Sequence, residues 1–395
     1  MSMISVNEAK QLIADQVHLL EPVTLSLKVA SGHVLAADIY ANYDIPAFPQ
    51  SSMDGYAFIF ADQKKELNVV GEMAAGTNQV LTIKIGETSR IFTGAPLPDG
   101  ADTVVMQEKI SQVNGKIRVD DEQLKPGSNV RDKGSEIKSG ALAMQKGNLL
   151  GPAAIGFLAG IGITEVVVFP MPKVGLIVTG NELQQPGTEL QFGQVYESNS
   201  YSLSAALQQE GITDLRIYQA DDDLEILTAV LETTLQNNDV VLLNGGVSVG
   251  DYDFVIEASK RCGIEQIFHR VKQKPGKPLF FGTKGNQMIF GLPGNPSSVL
   301  SCYYNYVLPA LNGLSHKENS IVEIKARLSH DYKKPSGLTH FLKGRYENGY
   351  ASPLTAQESY RLSSFAQANC LICLNEDQEE FSKGEIVKIM LLPNS

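Results

Sequence analysis

The sequence predicts a multidomain α/β plus β protein, in which a three-layer α/β domain with a mostly parallel sheet accompanies an inserted β-rich domain and a C-terminal, β-barrel-like domain. Three observations predict this fold class. Apolar strands alternate with helices over 173–315, as in parallel α/β domains. Short β-prone segments separated by turn residues fill 45–140. Strand-like segments return after Leu314.

These changes of pattern predict four domains in a chain of 395 residues. We expect residues 1–44 and 141–172 to form an N-terminal helical and linking domain, and 45–140 to form the inserted β-rich domain. Residues 173–315 form the predicted α/β domain, and 316–395 the predicted C-terminal β domain.

The chain is predicted to open with an amphipathic helix. Ser5 followed by Glu8 fits a capping box, and Ala9, Ile13 and Val17 continue an apolar stripe. In the β-rich domain, the predicted strands are "LNVVGEM", "VLTIKI", "SRIFTG", "DTVVMQE" and "GKIRV".

Within the α/β domain, we predict strands at "KVGLIVT", "DLRIYQ", "DVVLLN" and "MIFGL". Helices are predicted over 200–209 and 222–235, and a further helix is expected after "GDYD". In the C-terminal domain, the predicted strands are "IVEIKARL", "THFLKGRY" and "EIVKIMLL".

Composition and charge exclude several classes of protein. Hydrophobic residues make up 43% of the chain and charged residues 19%, which is typical of globular proteins. The net charge of −11 argues against a nucleic-acid surface. No leader pattern and no apolar run of about 18 residues is present. We therefore expect a cytoplasmic protein that binds neither nucleic acid nor membrane.

The four cysteines are too few for a disulfide framework. Cys370 and Cys373 form a CxxC within an apolar run, and zinc would need further ligands at suitable spacing. We expect reduced, packed thiols.

Polar loops follow the apolar strands of the α/β domain. In "NGGVSVGDYDF" at 244–254, Gly245 and Gly246 remove side chains where the chain turns or a ligand approaches. This segment fits either a ligand loop at the carboxyl end of a strand or an ordinary turn whose aspartates cap the next helix.

Two other loops carry groups suited to anions. Lys274 and Lys277 flank a Pro-Gly pair, which indicates a stiff cationic loop, although a solvated surface turn is the alternative. In "PGNPSS", Asn295 can cap a helix whose first turn contains Ser297, and the free N–H groups there would bind an anion.

Carboxylates at the same sheet edge suggest a cation. Glu182, Asp251 and Asp253 could hold Mg²⁺ against a phosphate, while helix capping remains the alternative. No P-loop or dinucleotide-binding glycine pattern occurs.

Six motifs together resemble one family. "FPQSSMDGYA", "FTGAPLPDGADTVVMQE", "TGNEL", "NGGVSVGDYDF", "KPGKPLFFG" and "GLPGNPSS" occur in the order found in molybdopterin molybdenumtransferases, the MoeA and gephyrin E-domain family. The resemblance covers essentially the whole chain. It implies an enzyme of molybdenum cofactor biosynthesis that inserts molybdenum from molybdate into the dithiolene of adenylylated molybdopterin and releases AMP, with a cation such as Mg²⁺. It also implies a homodimer, a MogA-like α/β domain, and a MogA-like adenylyltransferase as a possible partner.

The resemblance also assigns roles. It implies catalytic roles for Asp54, Thr93, Glu182 and Asp253, of which Glu182 and Asp253 would bind the metal ion. The expected substrate-binding residues, from the resemblance and the loop analysis together, are Gly245, Gly246, Ser248, Lys274, Lys277, Asn295 and Ser297. Asp253 rather than Asp251 matches the family's aspartate. Asp54 and Thr93 would reach the α/β site across a dimer cleft.

This sequence departs from the family pattern at three places. Asn181 replaces the usual aspartate, Lys343 replaces the commoner arginine, and the segment 356–370 lacks the usual glycines. Alternative functions are a MogA-like molybdopterin adenylyltransferase, a pterin or nucleotide pyrophosphatase, and a non-catalytic scaffold.

Overall fold

The computed structural model describes residues 3–246 and 254–393. The chain divides into two compact units. The α/β–barrel unit comprises Met1–Val23, Gly32–Val34 and Val168–Ser395, and the β-rich unit comprises Thr24–Ser31 and Leu35–Val167. None of the helices in the described residues is long and apolar enough to cross a membrane.

A six-stranded sheet forms the centre of the α/β–barrel unit. In spatial order its strands are Leu215–Ala220, Val174–Thr179, Val240–Asn244, Gln287–Leu292, Phe280–Lys284 and Glu265–His269. The first four strands are parallel, and the last two pairings are antiparallel. The predicted mostly parallel sheet is confirmed, and its apolar strands are those expected from a sheet covered on both faces.

Alternate side chains of the central strands enter two different cores. Leu176 and Leu242 belong to the core that includes the helices Asn199–Gln209 and Pro296–Cys302. Ile177 and Val241 point to the opposite face, where Leu224–Leu235 and Phe254–Arg261 pack. This alternation is the period-2 pattern of a strand, and it produces three layers.

Two further helical segments complete this unit. The helix Val6–Ala14 begins at Ser5, whose Oγ accepts a hydrogen bond from the Glu8 amide at 3.2 Å, so the predicted N-terminal cap is confirmed. Beyond Cys302 the chain continues through a π-helical turn, Tyr303–Val307, into the helix Leu308–Leu314.

The C-terminal part of this unit is a closed five-stranded barrel. Its strands are Thr339–Glu347, Tyr350–Pro353, Val322–Leu328, Ile386–Leu391 and Cys370–Leu374 in order around the barrel, and Thr339–Glu347 pairs with Cys370–Leu374 to close it. The short strand Gln273–Lys274 of the α/β domain pairs in parallel with the barrel strand at Thr339 and His340. Tyr332–Lys333 pairs separately with Glu380–Phe381.

The β-rich unit contains a four-stranded sheet in the order Asn68–Met73, Glu87–Ile91, Gly55–Phe58 and Thr103–Met106. Smaller pairs join Ile110–Val113 to Lys116–Val119, Gln50–Ser51 to Val130–Arg131, and Ile39–Tyr40 to Leu142–Met144. The unit also includes the helix Pro152–Gly160. The chain passes between the units at the strands Val23–Ser26, Val34–Leu35 and Glu165–Phe169.

One predicted strand of this unit is wrong. The segment "VLTIKI" at 80–85 makes only an isolated bridge between Thr82 and Asp99. Ile83 is buried and Leu81 packs against the core of this unit, but Val80 and Ile85 are exposed, and the single bridge at Thr82 does not extend into a ladder of backbone pairs. The four-domain boundaries remain a prediction.

Candidate active site

A cleft of approximately 580 Å³ lies at the carboxyl edge of the central sheet. Its lining comes from the loops after all four parallel strands, and it includes Gly180, Asn181, Glu182, Asn199, Asp222, Asn244, Gly245, Gly246, Pro278, Gly294 and Asn295. This is the position at which open α/β sheets bind ligands, because several loops converge there. The predicted Glu182, Gly245, Gly246 and Asn295 therefore line one cavity.

Glycine is required at the end of the strand Val240–Asn244. Gly245 has a φ of 96°, and a Cβ added there would lie 2.6 Å from Thr179 Oγ1 and 2.7 Å from the Thr179 carbonyl oxygen. Gly246 has a φ of 67°, and its Cβ would approach Val255. The backbone of this loop can therefore turn sharply against the neighbouring strand only because these two positions have no side chain.

Side-chain amides connect the loops around the cleft. Asn199 Nδ2 donates to Asn244 Oδ1 at 3.2 Å and to the Gly294 carbonyl at 2.8 Å. Asn181 Oδ1 accepts a hydrogen bond from the Asp222 amide at 3.3 Å. Asn181 thus holds the start of the loop that follows the strand Leu215–Ala220.

Glu182 and Asp222 are the carboxylates among the described residues that line the cleft, and both are exposed. Within 3–246 and 254–393, no group of three or more metal-ligating side chains occurs. Mg²⁺ is commonly held by one or two carboxylates together with substrate phosphates, so this donor set fits Mg²⁺. Ser248, Asp251 and Asp253 lie outside the described residues.

The two predicted lysines do not join these carboxylates. Neither Lys274 nor Lys277 is among the described residues that line the cleft, although Pro278 of the same loop is. Lys277 is exposed. Buried residues hold this loop in place. Gln273 Nε2 donates to the Gly276 carbonyl at 2.7 Å, and a Cβ on Gly276 would lie 2.5 Å from Cys302 Sγ.

Lys274 instead lines a second, basic pocket of approximately 300 Å³ beside the barrel, with Lys333, Lys334 and His340 among its neighbours. Lys334 is only 5% exposed, and its Nζ donates to the Leu338 carbonyl at 3.0 Å. Burial, with smaller contributions from the positive charges of Lys334 and Lys274, lowers the pKa of His340 to about 4, so the imidazole is neutral near pH 7. Gln357 and Glu358 also line this pocket.

The helix start in "PGNPSS" differs from the prediction. Asn295 occupies the N-cap position, but its side chain makes no capping bond, and its Nδ2 donates to Ser359 Oγ at 3.0 Å. The Ser297 amide donates to the Ser359 carbonyl at 3.0 Å, and the Ser298 amide bonds to the Asn295 carbonyl. The expected free N–H groups for an anion are therefore wrong at these two positions, because the loop from the barrel already satisfies the Ser297 amide. Ser297 itself is fully buried.

Asp54 and Thr93 lie together in the β-rich unit. Asp54 Oδ1 accepts hydrogen bonds from the Thr93 amide and from Thr93 Oγ1, both at 2.8 Å. These two bonds lower the pKa of Asp54, with a smaller contribution from Arg90, so the exposed carboxylate is ionised at neutral pH. Two residues that only the resemblance connected are therefore in direct contact.

The cysteines match the prediction of free, packed thiols. All four are free, and Cys370 and Cys373 lie on a barrel strand. Burial raises the pKa of Cys370 to about 12, which keeps the thiol protonated.

Several residues of these sites were not identified from the sequence. Asp222 follows the strand Leu215–Ala220 directly, so the rule used for the other strand ends would have found it. His340, Lys333 and Lys334 line the same pocket as Lys274, but no sequence pattern near Lys274 could identify them, since they come from a different domain.

Three family models match in order: the MoeA N-terminal region (domains I and II) over 4–162, a probable molybdopterin binding domain over 175–313, and the MoeA C-terminal region (domain IV) over 325–392. The fold and the cleft thus belong to the class of α/β domains described as probable molybdopterin binding domains.

Relatives match over nearly the whole chain. Proteins named molybdopterin molybdenumtransferase from Staphylococcus aureus strain N315 and from Staphylococcus epidermidis are 31% and 34% identical, and each alignment covers 98% of this chain and 95% of the relative. The solved molybdopterin biosynthesis MoeA protein of Pyrococcus horikoshii OT3 is 31% identical with a TM-score of 0.78, covering 99% of this chain and 100% of that one. The chain belongs to the MoeA family.

Proposed function

We propose that this protein is a molybdopterin molybdenumtransferase, an enzyme of molybdenum cofactor biosynthesis. It inserts molybdenum from molybdate into the dithiolene of adenylylated molybdopterin and releases AMP. The observation that carries the proposal is the full-length match to relatives of that name, combined with a cleft built from all four parallel strand ends. The thiolate ligands of molybdenum come from the substrate, because the free cysteines are buried or half-buried and lie outside the cleft lining among the described residues.

The cleft suits the adenylylated end of the substrate. Glu182 and Asp222 would hold Mg²⁺, together with Asp253, and the cation would neutralise charge that develops as the phosphoanhydride breaks. Gly245 and Gly246 let the substrate approach the backbone closely. Asn295, which Ser359 orients, is available to position the substrate at the opposite wall.

The cationic loop suits the anions of the reaction. Lys274 and Lys277 would contact molybdate or a pterin phosphate, and the basic pocket around Lys274 concentrates positive charge in a protein of net charge −11. His340, being neutral, can donate a hydrogen bond there but adds no charge at neutral pH.

Asp54 and Thr93 complete the proposed catalytic set. Thr93 fixes the Asp54 carboxylate through two hydrogen bonds, so a reacting group would meet an oriented, ionised oxygen. We propose that these residues act on the α/β site of a second subunit in a cytoplasmic homodimer, and that a MogA-like adenylyltransferase supplies the substrate.

Reconstitution tests the activity. Purified protein is mixed with adenylylated molybdopterin, Mg²⁺ and molybdate, and AMP and active cofactor are measured. We expect AMP release that depends on both metal species. Glu182→Gln should keep the wild-type melting temperature and release AMP at least about tenfold more slowly, since a cation ligand loses its charge.

Glu189→Gln is the matched control, because Glu189 is exposed on the same loop region and lies outside the cleft lining among the described residues. It should behave as wild type. AMP release that needs no molybdate would contradict the transferase and favour a pyrophosphatase. Consumption of ATP with unadenylylated molybdopterin would favour an adenylyltransferase.

A further inference from the structure

We infer that Lys343 is a positioning residue that holds the barrel loop 354–364 against the cleft, and that it does not bind a substrate anion. The inference rests on the proposed function for its kinetic consequence, while its structural part stands alone. Lys343 lies on the barrel strand Thr339–Glu347 and is 2% exposed.

The ammonium group of Lys343 is fully used within the protein. Its Nζ donates to the carbonyl oxygens of Ala356 at 2.8 Å, Arg361 at 3.0 Å and Glu358 at 3.2 Å. A lysine ammonium has three N–H donors and no acceptor, so these three carbonyls satisfy it completely. No donor remains for an oxyanion, and the burial leaves no path by which an anion could reach Nζ without displacing the loop.

The backbone of Lys343 holds the same loop. Its amide donates to Gln357 Oε1 at 3.0 Å, and Gln357 Nε2 donates to its carbonyl at 2.8 Å. The Ala356 carbonyl also accepts a bond from Ser364 Oγ at 2.7 Å. Ala356 has a φ of 60°, a left-handed conformation that an alanine adopts only when its surroundings enforce it.

The loop transmits this order to the cleft through Ser359. Ser359 lies between the carbonyls of Glu358 and Arg361 that Lys343 binds. Its own carbonyl and hydroxyl accept hydrogen bonds from the Ser297 amide and from Asn295 Nδ2, both at 3.0 Å. Asn295 lines the cleft, and Gln357 and Glu358 line the basic pocket. Lys343 therefore holds in place residues that form the walls of both cavities, and it does not itself contact a ligand in either cavity.

The test combines hydrogen exchange with kinetics. Lys343→Met keeps an unbranched side chain that is one heavy atom shorter and removes the three donors. We expect the amides of 354–364 and the Ser297 amide to exchange at least about tenfold faster in this variant. We also expect the KM for adenylylated molybdopterin to rise about tenfold.

Two further variants separate the possibilities. Ser359→Ala removes the acceptor for Asn295 and should raise the same KM, and adding it to Lys343→Met should have little further effect, because both act through one contact. Lys325→Met, at an exposed lysine of another barrel strand, Val322–Leu328, should change neither exchange nor KM.

A raised KM for molybdate with unchanged exchange in 354–364 would overturn the inference and make Lys343 an anion ligand. Unchanged exchange with unchanged kinetics would also overturn it. Faster exchange in a protein whose wild type releases no AMP would contradict the proposed function and leave the role of Lys343 in holding the loop intact.

Discussion

Single residues such as Gly245 and Asn181 determine the shape of the cleft more strongly than they determine its charge. Gly245 combines a φ of 96° with a Cβ position already occupied by the backbone of Thr179, so two independent costs act on any substitution. Asn181 places an amide oxygen on the Asp222 amide, where an aspartate would bring a second negative charge beside Asp222. Both residues fix the conformation of a loop, and neighbouring residues carry the proposed chemistry.

Gly245→Ala is expected to lower the free energy of unfolding by about 3 kcal/mol or more, because left-handed strain of about 1–2 kcal/mol adds to the contact with Thr179. Urea unfolding measures this difference. The control is Gly263→Ala, which has a φ of 72° but no atom within 4 Å of the added Cβ, and should cost only about 1 kcal/mol. Equal losses in the two variants would show that the contact with Thr179 contributes nothing.

Among the elements, the strand Thr339–Glu347 connects the barrel to the candidate site. It closes the barrel through Cys370–Leu374, pairs with the short strand that carries Lys274, and contains both His340 and Lys343. Its residues 339–344 are all buried, unlike the alternating pattern of a strand with one wet face. Burial of a histidine and a lysine on this strand therefore has consequences for stability.

Acid is expected to destabilise the protein through His340. The pKa of His340 falls from 6.5 to about 4 on folding, so between these values the unfolded state binds a proton that the folded state does not. The stability that depends on a neutral His340 is fully present above about pH 6.5, and the free energy of unfolding declines as the pH falls toward 4. We expect His340→Gln to reduce this decline by about 2 kcal/mol. Denaturant titrations of both proteins at several pH values measure the difference. If the free energy of unfolding varies with pH in the same way for wild type and variant, His340 is not the source of the acid destabilisation.

At the scale of the whole molecule, the proposed catalytic residues are divided between the two compact units. Asp54 and Thr93 belong to the β-rich unit, and Glu182 belongs to the α/β–barrel unit. In the proposed homodimer, both sets act in one site. If so, neither unit carries out the reaction alone, and activity depends on assembly.

Subunit exchange tests this division. Asp54→Ala and Asp253→Ala are each expected to be inactive as homodimers. Mixing equal amounts should restore about a quarter of wild-type AMP release, because about half of the dimers become heterodimers and each heterodimer contains one intact site of two if the two residues come from different subunits. Native mass spectrometry confirms exchange. A mixture that exchanges and stays inactive would mean that each site is built within one chain.

Much of the fold could be predicted from the sequence, because it rests on local periodicity. The strand Val240–Asn244 is an apolar run with glycines directly after it, and the strand was predicted correctly, as was the need for glycine at Gly245 and Gly246; the rest of this loop lies outside the described residues. The segment 80–85 has a similar composition but forms no strand, since β-propensity depends on a partner surface that composition does not specify.

The candidate site was predicted in part. Glu182, Gly245, Gly246 and Asn295 were placed in one cavity by the rule that parallel strands end at the same sheet edge. The anion site at Ser297 failed because a loop more than 60 residues away in the chain, at Ser359, occupies its amide, and no local pattern records that partner.

The sequence by itself determined the order of strands and helices, the glycines at the strand ends and the family to which the chain belongs, because these depend on neighbours within a few residues or on motifs read directly. Only the tertiary structure decided which charged groups meet. It placed Lys274 in a pocket with Lys334 and His340, paired Asp54 with Thr93, and enclosed Lys343 among three carbonyls. Charges and hydrogen bonds act over a few ångströms in space between residues far apart in the chain, so their partners exist only once the chain has folded.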